Sequence, residues 1–238
     1  MEKGTLMELA YQCILRKIIE ERLAPGTPLR ENHLAEEFNL SPTPVREAFR
    51  RLENEGWLQS LPYKGCTLRQ YTLKELEEMF LLREALEGAA VKCAVQRATQ
   101  RDLRKLEDVL KKERAFIDVR REKNPEPALE SPTSIDILFH DALVDAAHAP
   151  HLKQRSSMLQ AQISYVIFLN ARTPTTPDDL ESVYEEHCMV FFAIRRGWKD
   201  IAEELIQRHI HSGWNKYLHS LKQGEDNRAS SRTVSRKA

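Results

Sequence analysis

Nowhere in the 238 residues does an apolar run approach the length of a bilayer span, so a helical membrane protein is set aside at the outset. Cysteine is scarce: Cys13, Cys66, Cys93 and Cys188 lie far apart with no Cys-x-x-Cys spacing, which argues against a disulfide framework and for a reduced setting. Met1-Glu2-Lys3-Gly4 lacks the apolar core of a signal peptide, and with the cysteine usage this makes a cytoplasmic location the expectation. Charge of one sign is missing too, since Lys plus Arg and Asp plus Glu both number 36. Any binding to a polyanion must therefore come from where cations are placed, not from bulk attraction.

What is present begins with Ser41-Pro42-Thr43-Pro44-Val45-Arg46-Glu47-Ala48-Phe49-Arg50-Arg51-Leu52. Ser41 or Thr43 can cap a helix whose first turn accepts proline, because the missing N–H has no partner there anyway. Val45, Ala48, Phe49 and Leu52 recur at helical spacing as a buried stripe, leaving Thr43, Arg46, Glu47 and Arg50 outside. Leu9, Cys13, Ile14 and Ile18 mark a first helix upstream, and Leu34, Ala35 and Phe38 a second, followed by the turn Asn39-Leu40-Ser41. After Gly56 the chain reads as a hairpin with Lys64 and Gly65 at its tip. Three helices and a hairpin make a winged helix-turn-helix, a fold that places its third helix in a DNA groove. A solvated basic face is the competing account for Arg46, Arg50 and Arg51, and the ordered run of turn, helix, stop and basic tip weighs against it.

From Thr72 the pattern is helical throughout. Leu76, Met79, Phe80, Leu86 and Ala90 mark one helix, and Leu103, Leu106, Val109 and Leu110 the next. A Pro-rich loop follows over Asn124 to Pro132, and further helices begin near Thr133, His151, Asp178 and Lys199, the last ending near Leu221. The mostly α fold thus divides into a DNA-binding domain at 1–71, a bundle of six or seven helices at 72–221 and a disordered tail at 222–238. His148 and His151 flank Pro150 and read as loop residues.

In the bundle, polar residues interrupt apolar stripes. His187 falls among Leu180, Val183, Tyr184, Phe191 and Ile194, and His209 among Ala202, Leu205 and Ile206. Asp136 and His140, one turn apart, project from one face beside Ile135, Phe139 and Leu143. An inward carboxylate needs a partner. Two readings stay open: a divalent ion on Asp136, His140, His187 and His209, for which three imidazoles and a carboxylate suit zinc or nickel, or hydrogen-bonded core histidines with Asp136 as a cap. Arg83 faces inward on its own stripe and either meets an organic anion or pairs with Glu87 one turn later. Open positions on such an ion could also serve a hydrolase, but no further carboxylate or histidine at motif spacing offers a general base. A third possibility makes the ion purely structural and DNA binding constitutive.

These residues carry a resemblance. Pro25-Gly26, Leu29-Arg30-Glu31, Leu34-Ala35, the run from Ser41 to Ala48, Leu52, Glu55-Gly56 and Gly65 resemble the amino-terminal domain of GntR-type bacterial transcription regulators. The resemblance implies that Arg30, Ser41, Thr43, Arg46 and Arg50 touch phosphates or bases and that Gly65 sits at a wing tip in the minor groove, beside Lys64. Many relatives carry a basic residue where this chain has Pro42, so their base preference does not transfer. Arg83-Glu84-Ala85-Leu86-Glu87, the run Asp136 to Leu143, Glu185-Glu186-His187 and Arg208-His209 are similar to the FCD ligand-sensing domain of the FadR branch. That similarity implies a metal on Asp136, His140, His187 and His209, zinc first with nickel or manganese as alternatives, and an organic acid completing its coordination with Arg83 nearby. It also implies a homodimeric repressor, not an enzyme, on a palindromic operator, in keeping with one recognition helix reading one half-site. Ala89, Ala90, Ala94 and Ala98 offer small residues for a subunit contact.

Overall fold

The computed structural model describes residues 5–61, 65–122, 132–170 and 175–235, with side chains left out at 132–134, 170 and 222–235. The chain divides into two compact units, Met1–Leu73 and Lys74–Ala238, each taken by itself below.

In the first unit, α1 (Leu6–Glu20) is capped by Thr5, whose side chain accepts from the Glu8 N–H. Its buried face is Ala10, Tyr11, Ile14 and Ile18, while Leu9 is half exposed, contrary to the sequence reading. The helical period running back from Ile18 and Ile14 lands on Ala10 and Tyr11. Strand β1 (Pro28–Leu29) precedes α2 (Glu31–Glu37), and α3 (Pro42–Asn54) follows a turn in which Asn39 takes a left-handed φ of 54°. Ser41 is the α3 N-cap residue but makes no side-chain capping bond, and Pro42 opens the helix. Val45, Ala48, Phe49 and Leu52 are buried and Thr43, Arg46, Glu47 and Arg50 exposed, as the spacing requires.

At its end α3 stops in a glycine turn: Gly56 has φ +85°, Trp57 N–H donates to Leu52 C=O at 2.9 Å and Gly56 N–H to Glu53 C=O at 3.0 Å. The chain then forms β2 (Leu58–Leu61) and β3 (Gly65–Leu68), which pair antiparallel with Leu58 opposite Leu68 and Leu61 opposite Gly65. The hairpin expected from sequence is thus one part of a three-stranded sheet in the order β1-β3-β2. The two-residue β1 was too short to show an alternation.

The second unit contains α4 (Leu73–Arg97), α5 (Gln100–Arg121), α6 (Pro132–Ala146), α7 (Pro150–Asn170), α8 (Pro177–Arg196) and α9 (Lys199–Ser235). Thr99 with Asp102 and Thr176 with Asp179 form reciprocal capping boxes at the starts of α5 and α8. Phe116 and Ile117 of α5 pack with Ile135 of α6 and Leu180 of α8. His151 lies in α7, not in a loop, because Pro150 fits the first helical position and starts the helix there. His148 occupies the preceding turn with φ 46° and contacts Asp102 at 2.8 Å. Most of the Pro-rich loop expected at Asn124 to Pro132 falls outside the described residues. Helix α9 continues past Leu221, where the sequence reading ends it, since no proline between 222 and 235 interrupts the backbone ladder. Ala90 and Ala94, offered above as subunit-contact residues, are already fully buried within this one chain.

Phe49 is 2% exposed at the centre of the first unit. Phe49→Ala is expected to lower the stability of that unit by about 3–5 kcal/mol. Urea denaturation followed by Trp57 fluorescence, with Trp198 and Trp214 replaced by Phe, checks this; a loss below about 1 kcal/mol would mean that α3 does not pack as described.

Candidate functional site

The exposed face of α3 is the first place where chemistry is concentrated. Thr43, Arg46 and Arg50 line it, Arg30 is exposed at the N-cap position of α2, and Ser41 is exposed with its hydroxyl unused by the helix. Arg46 Nε lies 3.1 Å from Glu31 Oε2, a surface pair that solvent screens and that a phosphate or base edge could displace. Gly65 begins β3 with φ +74°, a conformation that a residue with Cβ adopts only under strain, and Lys64 lies outside the described residues. Arg51, grouped with the outward cations from sequence, is instead structural. Its guanidinium lies 3.9 Å from the Tyr11 ring centroid and bonds Glu8 at 2.6 Å and Glu55 at 2.9 Å.

The second place is the middle of the bundle. Ligating atoms of Asp136 and His140 on α6, His187 on α8 and His209 on α9 all lie within 4.8 Å of one another. The Nε2 atoms of His140 and His187 stand 3.1 and 3.3 Å from His209 Nε2. Asp136 Oδ1 is 3.6, 3.7 and 3.9 Å from the Nε2 atoms of His140, His187 and His209. Two ligands bound about 2.1 Å from one ion lie about 3.0–3.4 Å apart, so His209 Nε2 stands at neighbouring-ligand spacing from both other rings, and the carboxylate stands slightly wider.

On their far sides the three rings are held alike. His140 Nδ1 meets Glu87 Oε2 at 2.5 Å, His187 Nδ1 meets both Glu113 oxygens at 3.0 Å, and His209 Nδ1 meets Glu186 Oε2 at 2.7 Å. With a cation at the centre each Nε2 would supply the lone pair, which leaves each Nδ1–H to donate to its glutamate. Phe139 stacks on the His187 ring with centroids 3.9 Å apart, which fixes its plane. Three lone pairs and a carboxylate oxygen that face one point repel unless a cation, a proton or a metal ion, lies among them.

The charge balance has the same sense. Asp136, Glu87, Glu113 and Glu186 surround the centre, and Arg83 is the guanidinium beside them. Burial would raise the Glu87 carboxyl, but His140 and Arg83 outweigh it and hold it at about 2. Asp136 is likewise held well below the carboxylate range, with His140 and Arg83 overcoming desolvation. Burial and the Asp136 charge push Glu113 up to about 8. Without an ion, burial would lower His140, yet Glu87 and Asp136 raise it to about 9, whereas burial depresses His187 to about 3 and His209 to about 4. The excess of carboxylates over guanidinium is what a divalent cation would neutralise. The imidazoles are almost wholly buried, while the Asp136 side chain keeps 29% exposure.

Residues 6–68 match the model of the bacterial regulatory proteins of the gntR family, and residues 78–212 match the FCD domain. The chain belongs to the GntR family, with an FCD domain. An uncharacterized HTH-type transcriptional regulator of Bacillus subtilis (strain 168), YdhC, is 28% identical over 95% of this chain and 98% of that protein. The HTH-type transcriptional repressor RspR of Escherichia coli (strain K12) is 26% identical over 84% of this chain and 83% of its own. Among solved structures, E. coli McbR/YncC superposes with a TM-score of 0.73 at 22% identity, over 91% of this chain and 98% of that one, which speaks to the fold. The family is one of transcriptional regulators, not enzymes, and its FCD domains often bind metal.

The FCD domain therefore brings together all four residues that the sequence singled out. Both sequence readings of Arg83 retain support: Arg83 Nε bonds Glu87 Oε1 at 2.7 Å, while Nη2 stands 4.0 Å from Asp136 Oδ2. The sequence reading missed Glu113, gave Glu186 no role and knew Glu87 only as an arginine partner. Glu113 did leave a signal, because it sits on the apolar stripe of Leu106, Val109, Leu110, Phe116 and Ile117. His187→Ala and His209→Ala are each expected to reduce metal content to near nothing in elemental analysis. Glu113→Ala should weaken metal binding about 10–100-fold in a chelator competition with the helix content unchanged. Full occupancy in both histidine variants would remove the centre.

Proposed function

We infer that this GntR-family regulator is a repressor whose operator affinity is set by a small organic acid bound beside a metal on Asp136, His140, His187 and His209. The observation that carries this is the set of three Nε2 atoms converging on one point, each backed by a glutamate through Nδ1. An imidazole-rich set with one carboxylate suits zinc best, with nickel and manganese as alternatives. When bound, the ion supplies positive charge and open coordination positions to an acid. The chain's own residues do the rest. Three glutamates orient the rings, Arg83 adds a fixed cation for the ligand's carboxylate, and the partly exposed Asp136 leaves a way in.

At the DNA, α3 enters the major groove, and Thr43, Arg46 and Arg50, with Arg30 and Ser41, contact phosphates and base edges. Gly65, at the start of β3, stands at the wing tip, with the cation of Lys64 next to it in the sequence. Two-fold pairing of chains addresses a palindromic operator, and the regulator works in the cytoplasm, where the operator is. Repression agrees with the name of the relative RspR. For the acid to act, it must bind the DNA-competent and DNA-incompetent states with affinities that differ by a few kcal/mol.

The test is a titration of candidate acids against operator affinity, with the operator obtained by selection from random duplexes. A regulator changes its affinity and leaves the acid intact; conversion of the acid would mark an enzyme, and indifference with metal bound would mark a structural centre. Arg46→Ala is expected to weaken operator binding by about 1–3 kcal/mol in fluorescence anisotropy, with unchanged circular dichroism. Undiminished sequence-specific binding would show that another element reads the groove.

A further inference from the structure

Four buried side-chain atoms among the described residues make no hydrogen bond: Arg83 Nη2, Ser156 Oγ, and both the Nε2 and Oε1 atoms of Gln160. Ser156 and Gln160 are each 2% exposed and lie one turn apart on α7. Leaving polar atoms unsatisfied in a core is costly, and a glutamine with neither end of its amide engaged is unusual in a packed interior. An apolar side chain of similar size would fit an ordinary helix contact better.

Where these atoms sit along the bundle follows from the α6–α7 hairpin. Lys153 of α7 bonds Asp145 of α6, and Ser157 lines one groove with Asp141 and Ala142. Each turn forward on α7 is a turn back on α6. The same step sets Ser156 level with Ala142, and Gln160 level with Leu138, between Asp136 and His140. The orphaned atoms of α7 therefore lie at the height of the candidate metal centre, as does Arg83 Nη2, 4.0 Å from Asp136.

The geometry points to Gln160 and Ser156 as a specificity wall of the effector site, reading hydroxyl groups on a carboxylate held by Arg83, so that the effector is a hydroxylated organic acid. This rests on the organic-acid reading above and narrows it. Gln160 presents a donor and an acceptor side by side, and the Ser156 hydroxyl is both at once. A ligand hydroxyl, which also donates and accepts, satisfies them. A methylene leaves both unpaired, and a second carboxylate meets the donors but turns negative charge on Gln160 Oε1. A site built around hydrogen bonds discriminates strongly against analogues that lack the matching group.

The test uses the full chain with its metal and four six-carbon probes: gluconate, its C4 epimer galactonate, hexanoate and adipate. Isothermal calorimetry is expected to show at least one of the two hydroxylated acids binding about 100-fold or more tighter than hexanoate and adipate. In Gln160→Leu that preference should collapse to about threefold or less, with Ser156→Ala intermediate, metal content unchanged and the ligand-free melting temperature no lower than in the unsubstituted chain. A Gln160→Leu variant that melts lower without ligand would show that the amide is engaged within the fold, by protein or ordered water, and would overturn the assignment. So would equal binding of hexanoate or adipate by the unsubstituted chain, which leaves the broader organic-acid reading standing. If none of the four acids binds, lactate against propionate decides: a preference for lactate that Gln160→Leu abolishes upholds the assignment, equal binding removes it and leaves the organic-acid reading standing, and failure of both removes that reading too.

Discussion

Three buried imidazoles and a carboxylate crowded around one point need a cation, a proton or a metal ion, and the rest of the bundle is arranged around that need. The glutamates on the far side of each ring prevent the rings from turning away, since each Nδ1–H is already committed to a carboxylate. Those groups come from five of the six helices: Glu87 on α4, Glu113 on α5, Asp136 and His140 on α6, Glu186 and His187 on α8, and His209 on α9. Charge compensation at the centre is therefore also a constraint on how the helices meet. A cation in this place draws their polar faces together, and its loss leaves buried carboxylates in excess. On the reading proposed above, a ligand bound beside such an ion would act on several helices at once.

The DNA-binding unit is built on the opposite plan. Its interior is apolar, from Ile14 and Ile18 through Ala48, Phe49 and Leu52 to Leu58 and Leu68, and its charges lie at or near the surface. Arg51 is taken up by Tyr11, Glu8 and Glu55 and so braces α1 against α3, whereas Arg46 is tethered lightly to Glu31 and Arg50 is exposed. With no surplus of positive charge on the chain, this division of labour among three neighbouring arginines matters. Affinity for a duplex has to come from the few cations that the fold leaves uncommitted.

Much of this was legible from spacing, and the exceptions have definite causes. The α3 stripe and its outward face followed from the period of 3.6, and so did the shared face of Asp136 and His140. Leu9 misled because hydrophobicity outranked phase, and Pro150 misled because proline starts helices as readily as it stops them. Glu113 went unread because a charge on an apolar stripe has meaning only once its partner is known, and His187 is 74 residues away in sequence. Gln160 was silent for a related reason: whether an amide is satisfied depends on neighbours brought by other helices.

The sequence by itself determined which residues could bind an ion and which face of α3 meets solvent, because both are decided within single helices by a local period. Only the tertiary structure decided that three histidines share one centre with Nε2 inward, that Arg51 braces Tyr11, Glu8 and Glu55, and that polar atoms of α7 are buried without a hydrogen bond. Those outcomes depend on how helices distant in the chain pack. No local pattern encodes the distance between two side chains on different helices.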